Sequence, residues 1–208
     1  MARKLADVFQ PMFSFASRHR FSIGVASATV KTGGCDLLVQ KFVEKKEEID
    51  WRRCGVFTCF GFVFTGCWQY FLFVKTMPRI FPDAISFIKK PIREKMRDAK
   101  GLREVAYQNL IENGINNPLL YFPCFYTIQS VANGGTFDPI SGLRKYRDNM
   151  HEDLPAIWSV WIPAQLFNFA FSPLWFRVPF VSFVSGFWTC YVSITRGNEG
   201  PVARRLTK

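Results

Sequence analysis

Residues 54–74 read CGVFTCFGFVFTGCWQYFLFV, 21 positions without a charge between Arg53 and Lys75. A helix rises about 1.5 Å per residue, so about 20 mostly apolar residues cross the hydrocarbon of a bilayer. Working outward, three more stretches avoid charge: Asn113 to Phe137, Leu154 to Phe176, and Val178 to Thr195. A water-soluble chain of 208 residues does not keep its charges out of so many windows of that length. The pattern predicts an all-α fold, a multispanning transmembrane helical bundle of four to five spans.

The mean hydropathy of +0.03 is low for such a protein. The average misleads because charges concentrate in the connections and at the ends. The 23 Phe and 6 Trp suit lipid-facing walls and the interface, where amphipathic rings settle. A net charge of +11 fits basic loops held near anionic head groups. The basic residues flank apolar runs and form no single stripe, so nucleic acid is not an expected partner. Five of the six cysteines, Cys54, Cys59, Cys67, Cys124 and Cys190, fall inside apolar runs, and Cys35 lies in the first candidate helix. With no C-x-x-C pair and only His19 and His151, metal-ligand spacing is absent, and cysteine reads as a small apolar packing residue. No nucleophile–base constellation and no phosphate-cradling glycine loop is present. The chain is expected to be no enzyme and to need no metal or cofactor.

The organisation reads as a basic N-terminal segment (1–20), a membrane helical domain (21–195) and a basic tail (196–208). Spans are expected near 21–43, 54–74, 113–135, 154–172 and 178–195. The N-terminus is basic and aromatic; Asp7 and Pro11 weigh against a mitochondrial targeting stretch. The first span carries Lys31, Asp36 and Lys41 but also Gly24 and Ala28, small residues four apart that let helices approach closely in lipid. It is expected inside the bundle, with Trp51 as an interface anchor after it. In the connection 75–112, apolar Ile92, Met96, Ala99, Leu102, Ala106 and Leu110 recur every three or four residues against Lys95, Arg97, Lys100 and Arg103. This predicts a basic amphipathic helix, lying either in the membrane interface or packed on the bundle. Pro173 to Pro179 mark a tight junction between the last two helices. The distribution of basic residues favours an even number of spans, whereas the apolar runs favour five.

A polar group in hydrocarbon costs several kcal/mol unless partnered, so each one at membrane depth faces a partner or a watery cavity. Besides Lys31, the candidates for a pore lining or a bundle interior are Asp36, Gln40, Gln69, Gln129, Asn133, Gln165, Asn168 and Arg177. Asp36 with Gln40, Gln129 with Asn133, and Gln165 with Asn168 each share a helix face. Converged, the three pairs line an aqueous path. The alternative is interhelical hydrogen bonding that fixes the bundle, with Asp36 paired to Arg177 or Lys31.

Trp158, Trp161, Gln165, Asn168, Phe169, Pro173, Arg177, Trp188, Tyr191 and Ser193 follow the order W-x2-W, Q-x2-N-F-x3-P-x3-R, W-x2-Y-x-S. This signature resembles the Mpv-seventeen / twenty-two-kilodalton peroxisomal membrane protein family. Asp36 with Gln40 resembles its D-x3-Q motif, and Gly66 with Trp68 its G-x-W. The likeness covers about Arg20 to Thr195. The chain departs from it at Cys35, at Gln69, and at Ile162, which displaces a proline to Pro163. The resemblance implies a weakly selective channel for small solutes in the mitochondrial inner membrane, or in a peroxisomal or chloroplast membrane. Asp36, Gln40, Gln165, Asn168 and Arg177 would then line or gate it. The other reading is a structural accessory subunit of a larger organellar membrane complex. Expected partners are membrane lipids, and other membrane subunits or a second copy.

Overall fold

A computed structural model describes residues 2–196, with side chains over 10–189. The tail beyond Arg196 and the side chains of Arg3, Lys4, Cys190, Tyr191 and Ser193 lie outside the described residues. All regular structure among the described residues is helical. Helix α1 is Ala2–Arg18. Helix α2 occupies residues 20–43, its last turns, Val39–Val43, wound wide. Helix α3 is Trp51–Ile80. Two short helices follow, α4 Asp83–Lys89 and α5 Ile92–Arg97. Helix α6 occupies residues 99–132, α7 is Pro139–Phe171, and α8 is Arg177–Arg196. By length and composition, α3 and α7 are able to cross a membrane.

Three aspartates set the starts of α3, α6 and α7. Asp50 accepts from the Arg53 amide at 2.9 Å, Asp98 from Gly101 at 3.0 Å, and Asp138 from Ile140 at 3.0 Å. Each satisfies a first-turn N–H that has no partner within its helix. The cap at Asp98 corrects one expectation. The amphipathic pattern from Ile92 is not a single helix: it breaks at Asp98, and its second half, from Ala99, runs on into α6. The junction at 172–176 is as tight as predicted.

Pairwise contacts fix the packing. A Cβ on Gly24 would stand 3.3 Å from Val178 Cβ, and one on Gly186 3.7 Å from Lys31 Cγ, so α2 and α8 run parallel. Gly33 faces Thr58 while Gly66 faces Val25, so α3 runs antiparallel to α2. A Cβ on Gly61 would lie 2.7 Å from Thr32 Oγ1, as close as the small-residue pattern of α2 implies. Phe60 meets Tyr121 and Trp68 bonds Asn116, which sets α6 against α3. Phe122 stacks on Tyr146 and Trp158 donates to the Asn113 carbonyl, which sets α7 against α6. The deepest apolar packing, around Phe73, Met77, Phe87, Phe169 and Val178, gathers at one end of this five-helix array. There α4 seats Phe87 over Gly101, and the buried Lys95 places its ammonium 4.1 Å from the centre of the Phe171 ring.

Large apolar side chains face outward, and polar side chains are buried among the apolar ones. Val30 (73% exposed), Leu119 (66%) and Phe187 (65%) face outward, with Phe62, Phe71, Ile115, Phe167 and Phe183 beside them. Exposed apolar surface on this scale marks a lipid-facing wall.

Candidate functional site

The buried polar side chains stack in three layers along the bundle axis. The first is a mouth formed by the ends of α2 and α3. Asp36 and Gln40 lie one turn apart on the inner face of α2, with Glu44 a turn further on. Arg53, in the first turn of α3, donates from Nε to Asp36 Oδ1 at 2.8 Å and from Nη1 to Glu44 at 2.8 Å. Gln40 Nε2 donates to the other Asp36 oxygen at 2.7 Å, and Gln40 Oε1 accepts from the Asp50 amide at 2.7 Å. The loop between α2 and α3 is thereby tied to both helices. Asp36 is therefore partnered by Arg53 and not, as expected, by Arg177 or Lys31. Arg53 sits at the charged edge of an apolar run, where it reads as a boundary marker.

Inside the mouth lies a vestibule of about 310 Å³, walled by Phe57, Phe60, Tyr121, Phe125 and Trp188, with Lys31, Cys35 and Thr65 also lining it. It narrows to a second layer, a neck of about 50 Å³ shared by Lys31, Thr65, Gln69, Glu112, Asn117 and Ser182. Lys31, Thr65 and Tyr121 line both spaces, so the two adjoin. Helix α6 gives Glu112, Asn117 and Tyr121 to the neck, and the first two belong to two ladders at a spacing of four. In one, Asn113 donates to Asn109 Oδ1 at 2.6 Å and Asn117 to Asn113 Oδ1 at 3.1 Å. In the other, Asn116 donates to Glu112 at 3.0 Å and accepts from Trp68 Nε1 at 2.8 Å. This stretch, Ile111–Tyr121, is wound in wide turns, with the Phe122 amide reaching back five residues to the Asn117 carbonyl. Such widened turns recur at functional positions in helices. Sequence reasoning missed these ladders as part of the site, although the repeats Gln108, Glu112, Asn116 and Asn109, Asn113, Asn117 were the available signal.

One turn further along α3, α6, α7 and α8 lies the floor. Phe73 follows Gln69, Gln165 follows Trp161, Gln108 precedes Glu112, and Arg177 precedes Val181. Arg177 is fully buried; its Nη1 donates to the Phe73 carbonyl at 3.0 Å and to Gln108 Oε1 at 3.2 Å, and the guanidinium lies 5.1 Å from the Phe169 ring centre. Asn168 Nδ2 donates to Gln165 Oε1 at 3.0 Å and to the Arg177 carbonyl at 3.2 Å. Arg177 Nε and Nη2, Gln165 Nε2, Asn168 Oδ1 and, in the neck, Gln69 Oε1 are buried without a protein partner. Buried polar atoms of this kind suit water or the polar atoms of a solute.

The candidate residues thus divide. Asp36 and Gln40 form the mouth, Gln69 the neck, and Gln165, Asn168 and Arg177 the floor. Gln129 is half-buried and Asn133 exposed at the end of α6, so that pair does not join the interior. The three polar pairs do not converge at one level, because turns of different helices pass each level in sequence.

An apolar-walled helical bundle with a layered polar interior is an integral membrane protein. The model of the Mpv17 / PMP22 family matches residues 133–193, which hold the signature from Trp158 to Ser193. PXMP2/4 family protein 3 of Dictyostelium discoideum is 29% identical over 76% of this chain and 74% of its own length. Mitochondrial inner membrane protein Mpv17 of Xenopus laevis is 25% identical over 91% of this chain and 97% of its own. Protein SYM1 of Mycosarcoma maydis is 28% identical over 76% and 71%. No solved structure matches closely enough to count. The chain is thus similar to the Mpv17 / PMP22 family, and the name of the Xenopus laevis relative places that protein in the mitochondrial inner membrane.

Proposed function

We propose that the chain is a non-catalytic pore for small solutes, closed at its floor. The observation that carries this reading is the pair of adjoining cavities inside the bundle, the outer one lined by Asp36 and Arg53 of the mouth and the inner one by Gln69, Glu112 and Asn117, one turn short of the floor. Five helices, α2, α3, α6, α7 and α8, pack side by side around these layers, which favours five spans. The short helix α5 exposes Met96 (74%) and Ile92 (57%) beside Arg93 and Arg97, a composition suited to the interface of an anionic leaflet. The N-terminus and the basic connection between α3 and α6 then share the positive side, and the mouth opens on the opposite one.

The test is purified protein in planar bilayers. Discrete conductance steps, altered in Asp36→Asn, are the expected result; silent membranes at high protein density overturn it. A second reading, an accessory subunit of a larger membrane complex, draws on an open apolar groove between α7 and α8 lined by Ala156, Val160, Phe183 and Phe187. Comigration with a large complex on native gels would favour it.

A further inference from the structure

We infer that Lys31 is the charge-selecting residue of this path: from the junction of vestibule and neck, its ammonium receives the carboxylate of a small organic anion whose apolar body lies between the aromatic walls. This inference rests on the pore reading for its role in transport, but the binding it describes is measurable without conduction.

Four observations carry it. Lys31 lines both the vestibule and the neck. Its methylene stem lies along α8, where a Cβ on Gly186 would stand 3.7 Å from Lys31 Cγ, so the stem is packed against a helix within the bundle. Among the described residues Lys31 enters no ion pair, although the other charges near the vestibule are satisfied: Asp36 accepts from Arg53 and from Gln40, and Arg53 also holds Glu44. The remaining acid, Glu112, lies in the neck and accepts from Asn116.

Size assigns the ligand to the vestibule. A space of about 50 Å³ holds a few waters, whereas about 310 Å³ reaches the lower end of small-molecule sites. An ammonium with no carboxylate partner, held in a partly water-excluded place, attracts an anion far more strongly than it would in bulk water. Phe57, Phe60, Phe125 and Trp188 supply flat apolar walls. One cation matches one negative charge, which makes a monocarboxylate the simplest fit.

The probe is sodium benzoate, titrated against full-length protein in detergent and read by thermal unfolding. Sodium chloride controls for ionic strength and benzyl alcohol for the neutral ring. Wild type and Lys31→Arg should show a saturable rise in Tm with benzoate, and Lys31→Gln an affinity weaker by roughly ten-fold or more. In parallel, benzoate should protect Lys31 of the wild type from a water-soluble amine-acetylating reagent, read by peptide mass spectrometry. Equal benzoate affinity in wild type and Lys31→Gln overturns the inference, as does acetylation of Lys31 that benzoate does not slow. Should Lys31→Gln fail to fold, the protection experiment decides alone. Conductance without any benzoate effect removes this site and leaves the pore, whereas benzoate binding in a protein silent in bilayers does the reverse.

Discussion

Removing the Arg53 guanidinium would leave Asp36 buried with only Gln40 as partner, and Glu44 without its bidentate contact. Breaking a largely buried ion pair from one side costs more than the pair contributes, because the remaining charge loses its compensation. Arg53→Ala is therefore expected to cost about 2–4 kcal/mol, measured by unfolding in detergent. Arg53→Lys should recover only part, since an ammonium cannot hold two carboxylates in the planar geometry of a guanidinium. Arg177 poses the opposite case. Its Nε and Nη2 have no protein partner, so its replacement by Met, of similar length and apolar, should cost less than Arg53→Ala despite deeper burial. A larger loss for Arg177→Met in the same assay would show that the floor is held by contacts other than those described. Both comparisons turn on which atoms are satisfied. That information was not legible in the sequence: Asp36, Gln40 and Arg177 stand out as polar groups among apolar ones, but nothing in their spacing tells which cation meets which anion.

Among the elements, the close approach of α6 and α7 rests on a missing side chain. A Cβ on Gly142 would come within 2.9 Å of the Thr127 backbone, which cannot move aside as a side-chain tip can. Gly142→Ala should destabilise by about 1–3 kcal/mol, read in the same unfolding assay. The start of α6 depends on charge. The Lys90 ammonium, followed by the Gly101 amide, holds the Asp98 carboxyl below the ordinary carboxylate range. Because the folded value is the lower one, the unfolded chain binds more protons, and the stabilisation is complete above the ordinary value. It fades as pH falls through the folded value. The stability gap between wild type and Asp98→Asn should accordingly shrink on acidification and vanish once Asp98 is protonated in both states. The four uncharged runs located helices well, because lipid demands length and apolarity and both are readable. The amphipathic run from Ile92 to Leu110 was misjoined. Its periodicity passes through Asp98 without interruption, and only the cap on Gly101 reveals that the chain turns there. The ladders of α6 escaped for a related reason: Asn109 to Asn117 read as a polar entrance to a span, whereas wide turns draw them inside.

For the molecule as a whole, the bundle should stay in the pellet after carbonate extraction of the membranes that carry it, as its apolar exterior requires. Sidedness is testable through Cys35, whose side chain lines the vestibule. A charged, membrane-impermeant thiol reagent should reduce conductance when added on the mouth side of an oriented bilayer, and not from the other side; Cys35→Ser should abolish the response. Block from both sides would mean that the floor does not close the path. The deep, fully buried position of Arg177 then has a consequence for the cell. A membrane that stores energy as a proton gradient cannot tolerate a standing leak. A fixed cation sealed among Phe73, Gln165 and Phe169 sets an electrostatic barrier to protons as well as a steric one. On the pore reading, and in such a membrane, opening would have to move that guanidinium aside, and the resting molecule would conserve the gradient.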